Sequence, residues 1–247
     1  MALSAAGCAL ALLLWWGSTR LILQVNHGPR SQRRTGMLVA TALLAGALYG
    51  VARLRNEATV GGALLAFGCA IIVWGWVEMS FLFGYVTGPR RRGCAPGCGG
   101  WRHFGHALEA ILYHEFALLA AVGAVAALSR DGTNRTALWT LLILWGMRAS
   151  AKLNLFFGVR NPGAGLLPAR LKYLASFFRH RPMNPLFPFS VAGCLALLGW
   201  LLVPLLNGRL SPFQEVEGAL LVTLTALGLL EHAVLVLTGP APAPAAS

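Results

Sequence analysis

Seven apolar stretches of about 20 residues run in series along this chain, separated by connections rich in arginine. A helix rises about 1.5 Å per residue, so each stretch can cross the roughly 30 Å hydrocarbon core of a bilayer. The runs are continuous rather than alternating, which argues against a membrane β-barrel. Composition agrees. The 247 residues are 57% hydrophobic and 11% charged, with mean hydropathy +0.65. A soluble domain carries about 25% charged residues, so this chain could not cover its own surface in water. The expected fold is an all-α, polytopic membrane helix bundle of about seven transmembrane helices. It should form one domain over residues 1–238, followed by a flexible Pro/Ala tail at 239–247.

The spacing predicts spans at 3–23, 37–52, 60–86, 103–128, 136–157, 186–206 and 212–237. No Lys or Arg precedes the first run, which ends Trp15-Trp16-Gly17-Ser18-Thr19-Arg20 without a small-residue cleavage pattern, so it reads as a retained span. The net charge of +12 is placed asymmetrically. The first, third and fifth connections hold Arg30, Arg33, Arg34, Arg90, Arg91, Arg92, Arg102, Arg160, Arg170, Lys172, Arg179 and Arg181. The even ones hold only Arg53, Arg55, Arg130, Arg135 and Arg209. By the positive-inside rule the odd connections and the C-terminus are cytoplasmic, and the N-terminus lies on the outer side. These charges serve orientation in a lipid bilayer. No basic stripe with interleaved aromatics stands clear of the apolar runs, so nucleic acid is not an expected partner.

Within the fifth connection, residues 166–181 read as a cytoplasmic amphipathic helix. Leu167, Leu171, Leu174 and Phe178 recur at helical spacing, while Lys172 and Arg179 fall on the opposite side. Pro168 suits its first turn, and Pro182 stops it. Such a helix can lie in the bilayer interface or pack on the mouth of the bundle, and the two are compatible.

Ionisable groups in a lipid-length helix are costly, so they face partners or cavities and mark functional positions. Glu78, Glu115, Arg148 and His114 fall roughly 12–18 Å in from the cytoplasmic end, and Glu109, Lys152, Glu231 and His232 roughly 8–10 Å. They form a polar layer in one half of the bilayer. Three readings follow: interhelical ion pairs such as Glu78 or Glu115 with Arg148, a polar cavity for a ligand or pigment headgroup, and a catalytic metal centre.

The histidines are the candidate pigment or metal ligands. His103, His106 and His114 share an arc of roughly 80° on the fourth span. Glu-x-x-His pairs from two helices, the usual mark of a bundle di-metal site, are absent from the sequence. A second metal pattern is Cys94-x3-Cys98 followed by His103 and His106, which resembles a small zinc loop with irregular spacing. The competing reading is a Gly/Pro-rich turn with incidental thiols. A lone histidine could also ligate the magnesium of a chlorophyll-type pigment, with His106, His114 and His232 as candidates.

Three blocks of sequence carry a more specific signal. The first is Trp74-Gly75-Trp76-Val77-Glu78-Met79-Ser80 with Thr87-Gly88-Pro89-Arg90-Arg91. The second runs from Cys94 through Gly100-Trp101-Arg102 to Leu112-Tyr113-His114-Glu115. The third holds Met147-Arg148 with Ser150-Ala151-Lys152-Leu153-Asn154, then Leu171-Lys172-Tyr173-Leu174 and Met183-Asn184. In these words, over roughly the middle half of the chain and within the same seven-span pattern, it resembles the PuhE family of photosynthetic complex assembly proteins from purple phototrophic bacteria. That resemblance implies a bacterial inner-membrane protein that helps build the reaction centre and core antenna. Photosynthetic subunits or other assembly factors would be its partners, and bacteriochlorophyll or a metal ion its candidate cofactor. It brings no established catalytic residues. A binding role is the expectation, and the alternative is a metal-dependent membrane oxidoreductase acting on a pigment precursor, lipid or quinone.

Overall fold

The computed structural model describes residues 2–95 and 97–237, so the expected Pro/Ala tail lies outside the described residues. Seven long helices follow in order: α1 (Ala2–His27), α2 (Arg30–Leu54), α3 (Val60–Leu82), α4 (Gly100–Leu128), α5 (Thr136–Phe157), α6 (Leu186–Leu206) and α7 (Pro212–Leu237). Among the described residues the only extended pairing is an isolated parallel bridge between Val159 and His180. All of these helices except α5 are long and apolar enough to cross a membrane. α5 covers the predicted fifth span but carries Arg148 and Lys152, and it packs between α3 and α7.

The first connection is far shorter than expected. Arg30, Arg33 and Arg34 belong to the opening turns of α2, and only Gly28 and Pro29 separate it from α1. Polarity ends the membrane contact but not the helix, which continues until Gly28-Pro29 breaks it.

α3 is the hub. It packs against α1, α2, α4, α5 and α7, whereas α6 lies at the periphery. Small residues make the central position workable: Ala63, Ala66 and Ala70 are all buried and let neighbouring backbones approach. At Gly50 on α2 a Cβ would stand 2.8 Å from the Cys69 sulfur, so glycine there sets the α2–α3 separation. One core cluster joins α1, α3, α5 and α7 around Phe67, Leu220 and Leu224, and a second joins α2, α3, α4 and α5 around Val73, Val125 and Leu141.

The helices alternate in direction. Ser4 near the start of α1 donates to Glu215 near the start of α7 at 2.5 Å, while Leu235 near the end of α7 accepts from the Asn161 N–H beyond the end of α5. The arginine-rich connections meet at one end. There Arg170 donates to the Leu82 carbonyl at 2.8 Å and to the Asn26 side chain, tying the fifth connection to the ends of α3 and α1. At the opposite end, Asn134 N–H reaches the Arg55 carbonyl at 2.8 Å and Thr136 donates to Glu217 at 2.9 Å.

The amphipathic segment of the fifth connection is not an α-helix. It forms two 3-10 turns, Ala164–Leu166 and Ala169–Phe177. With three residues per turn, side chains align at i, i+3 and i+6. The buried set is accordingly Leu171, Leu174 and Phe177, rather than Leu167, Leu171, Leu174 and Phe178. Leu167 and Phe178 pack at its margin, Lys172 is exposed and Arg179 is half-buried. The segment seats on Phe81 and Ala110, on the mouth of the bundle.

Beyond it, Asn184 holds the return into α6. Its amide donates to Asn154 Oδ1 at 3.0 Å and to the Gly158 carbonyl at 2.9 Å, while its oxygen accepts from the N–H groups of Leu186 and Phe187. Asn154 in turn donates to Ser190 at 2.9 Å. Asn184→Ala would leave buried donors and acceptors without partners and remove the α6 cap, costing about 2–3 kcal/mol. A lowered midpoint of thermal unfolding in mild detergent is the expected readout.

Candidate functional site

The structure brings part of this ionisable set into contact, with particular partners that spacing alone does not specify. Glu78 on α3 accepts from Arg148 on α5 at 2.8 Å. Its other oxygen lies 3.8 Å from Nε2 of His114 on α4, an electrostatic contact longer than a hydrogen bond. One carboxylate thus sits between a guanidinium and an imidazole, and joins three helices. Glu115 pairs instead with Lys152, at 2.5 Å. His232 donates from Nδ1 to the Gly228 carbonyl at 2.8 Å. That bond leaves Nε2 to accept from the Ser150 hydroxyl at 2.9 Å. Glu231 opens onto a cavity that Glu78 and Arg148 also line. Glu109 departs from the layer: it is half exposed and faces Arg90 of the α3–α4 loop at 3.7 Å.

That loop explains part of how His114 is held. His114 is fully buried, its ring 4.4 Å from that of Phe81. Its backbone N–H reaches the Thr87 carbonyl at 2.9 Å, because the loop lies directly against the α4 backbone. A Cβ on Gly88 would come within 2.0 Å of the Glu109 carbonyl oxygen. Only glycine allows that approach.

Two cavities flank the layer, and Arg148 is a wall of both. The first, about 420 Å³, lies between α4, α5 and the 3-10 segment. Its sides are Phe104, Leu108, Ile111, Phe156 and Phe178, and its polar floor is Glu115, Lys152 and Arg148. The second, about 340 Å³, lies between α1, α3, α5 and α7 and includes Ser18, Thr19, Glu78 and Glu231. A volume of this order and an apolar lining with a few convergent polar groups are those of a ligand site. Among the described residues, no histidine lines either cavity.

The histidines of α4 are divided rather than gathered. His114 lies roughly 16 Å along the helix from His103, at 1.5 Å per residue. It turns into the core, whereas His103 and His106 face the α3–α4 loop. The Sγ atoms of Cys94 and Cys98 each stand 3.4 Å from His106 Nδ1, and His103 Nδ1 lies 3.2 Å from the Cys94 sulfur. His103 is buried, stacked on Phe156 at 5.4 Å between ring centres. Cys94 N–H donates to the Ser176 hydroxyl at 3.0 Å, so the cysteine loop and the 3-10 segment are joined directly. Desolvation, with the Cys98 thiol next to it, pushes the Cys94 thiol above its ordinary range.

Sequence reasoning missed Asn154, Asn184, Ser150, Arg170, Thr87 and Gly88 as organising residues. Most of them stand inside the words that carried the family resemblance, and that was the available signal.

No solved structure matches the chain. An uncharacterized 30.4 kDa protein in the puhA 5' region of Rhodobacter capsulatus is 36% identical to it over 239 residues, covering 93% of this chain and 85% of that protein. The model of DUF3623, a family described as proteins of unknown function, matches residues 1–243. By both measures, and over nearly its whole length, the chain belongs to the DUF3623 family.

Proposed function

We propose that this protein is a membrane-embedded factor that assists assembly of the bacterial photosynthetic reaction centre and core antenna, holding a pigment or a segment of a client subunit. The observation that carries the binding part is the 420 Å³ cavity between α4, α5 and the 3-10 segment, apolar on its sides and floored by Glu115, Lys152 and Arg148. An apolar guest with one polar group suits that lining: the sides take the hydrocarbon part, and the charged floor orients the polar end. The photosynthetic part is supported by the name of the Rhodobacter relative, which puts it in the puhA 5' region, and by the resemblance of the three sequence blocks to the PuhE family. The arginine-rich end faces the cytoplasm in this reading, with the N-terminus on the periplasmic side of the inner membrane.

Pigment ligation through histidine is not part of the proposal. His114 and His232 are enclosed in the core and His106 faces thiols, so a guest would be held by shape and charge. Cys94, Cys98 and His106 border neither cavity.

The test is a strain lacking the gene. Membrane absorption spectra should show a several-fold loss of reaction centre–antenna complex, with normal growth under non-phototrophic conditions. Expression of the native chain should restore the complex. Ala151→Trp, which fills the cavity from α5, should not restore it although the protein reaches the membrane in normal amounts. Unchanged complex in the deletion strain would overturn the assembly role, and full restoration by the filled variant would overturn the cavity as its site.

A further inference from the structure

The cluster outside the cavities has a chemistry of its own. Cys94 and Cys98 converge on one nitrogen, His106 Nδ1, each at 3.4 Å, and the ligand atoms of all three residues lie within 4.8 Å of one another. Hydrogen bonding explains this poorly. A ring nitrogen offers one proton or one lone pair, so it cannot serve two thiols equally. A metal ion explains both contacts together. With Zn–S near 2.3 Å and Zn–N near 2.0 Å, a tetrahedral centre puts sulfur and nitrogen ligands about 3.5 Å apart. Both observed sulfur–nitrogen spacings already match those of a coordination shell.

We infer that Cys94, Cys98 and His106 bind a zinc ion that clamps the α3–α4 loop to the start of α4. Two thiolates and an imidazole are a borderline-soft donor set, the kind zinc prefers over the hard cations calcium and magnesium. On the cytoplasmic face, where the charge asymmetry puts this loop, thiols remain reduced and available as ligands. Binding releases both thiol protons to solvent, because the thiolate is the ligand form.

His103 is a positioning residue rather than a fourth ligand. Its Nδ1 reaches Cys94, at 3.2 Å, and its ring is held against those of Phe156 and Phe177. A ring held from behind that donates to a metal-bound sulfur fixes the orientation of that sulfur. The fourth coordination position is then open to water or to a donor group from a partner. The same arrangement connects the metal to the guest cavity without entering it. His103 stacks on Phe156 and meets Phe177 at a tilt, both of which line the cavity, and the Cys94 backbone is bonded to Ser176. Metal binding should therefore stiffen the loop and the 3-10 segment together. This inference does not depend on what occupies the cavity.

Purified full-length protein in mild detergent, kept under reducing conditions and supplied with zinc before desalting, should retain about one ion per chain by elemental analysis. Cys98→Ser and His106→Ala should lose it, while Cys69→Ser, which changes a thiol within the bundle, should keep it. Cobalt(II) in place of zinc should give intense visible bands of a tetrahedral centre and near-ultraviolet thiolate charge transfer. His103→Ala should weaken affinity about 10–100-fold yet preserve the two-thiolate spectrum. Zinc should also slow tryptic cleavage at Arg90–Arg92 in the native chain and not in Cys98→Ser. Wild-type protein that retains no zinc would overturn the assignment, as would zinc retention by both ligand variants. A Cys94–Cys98 disulfide found by mass spectrometry in freshly prepared, alkylated membranes would overturn it too. Loss of the two-thiolate spectrum in His103→Ala would overturn the positioning role.

Discussion

Gly88→Ala should destabilise the protein by roughly 3–5 kcal/mol and free the α3–α4 loop. The added methyl would stand 2.0 Å from the Glu109 carbonyl oxygen, 2.6 Å from the Ala110 carbonyl carbon and 2.8 Å from its oxygen. All three atoms are helix backbone, so no side chain can rotate away and the loop itself must lift. Lifting it breaks the bond from His114 N–H to the Thr87 carbonyl, separates Arg90 from Glu109 and draws Cys94 away from Ser176. Two measurements check this: the thermal unfolding midpoint in mild detergent, and the rate of tryptic cleavage at Arg90, Arg91 and Arg92. Gly46→Ala on α2 is the control, because a Cβ there meets nothing within 4 Å. That substitution should be neutral or slightly stabilising, by up to about 1 kcal/mol, through helix propensity. If the two variants unfold alike, the loop does not dock on α4 in this way.

The second large effect concerns Glu78. Glu78→Leu removes the carboxylate that lies between Arg148 and His114, leaving the Arg148 guanidinium without the carboxylate it pairs with. Breaking one side of a fully buried pair costs about 3–5 kcal/mol. The Arg148 side chain is 40% exposed, toward the two cavities, so the lower range of about 2–4 kcal/mol is expected here. Glu78→Leu with Arg148→Met should recover most of the loss, since paired apolar replacements remove the desolvation cost of both charges. A double-mutant cycle on unfolding midpoints measures the coupling. Additive effects would show that the pair does not hold α3 to α5. The double variant also separates stability from function: it should fold, yet fail to support complex assembly if the charged floor of the cavity orients the guest.

Much of the candidate site was legible in one dimension for a simple reason. A charge in a lipid-length helix has to find a partner, and partners must lie at the same depth. Rise per residue therefore brought Glu78 level with Arg148, and it placed His114 and Glu115 beside them. Depth does not fix azimuth. Glu115 chose Lys152, Glu109 turned out to Arg90, and His114 parted from His103 and His106 because the α3–α4 loop wedges against α4 between them. The 3-10 form of the fifth connection was equally hidden. Leu171 and Leu174 fit a period of 3.6 as well as a period of 3, and only the burial of Phe177 in place of Phe178 distinguishes the two.

By itself the amino-acid sequence determined the helical membrane class and the bounds of α5, α6 and α7. Those are consequences of apolar run length and of the cost of charge in hydrocarbon, and both are local properties of a chain. The tertiary structure alone decided which charge meets which, where the two cavities open and that two cysteines converge on one histidine nitrogen. Those outcomes depend on how each helix is rotated about its axis. That rotation is set by small residues such as Gly50 and Ala66, which choose how closely neighbouring backbones approach.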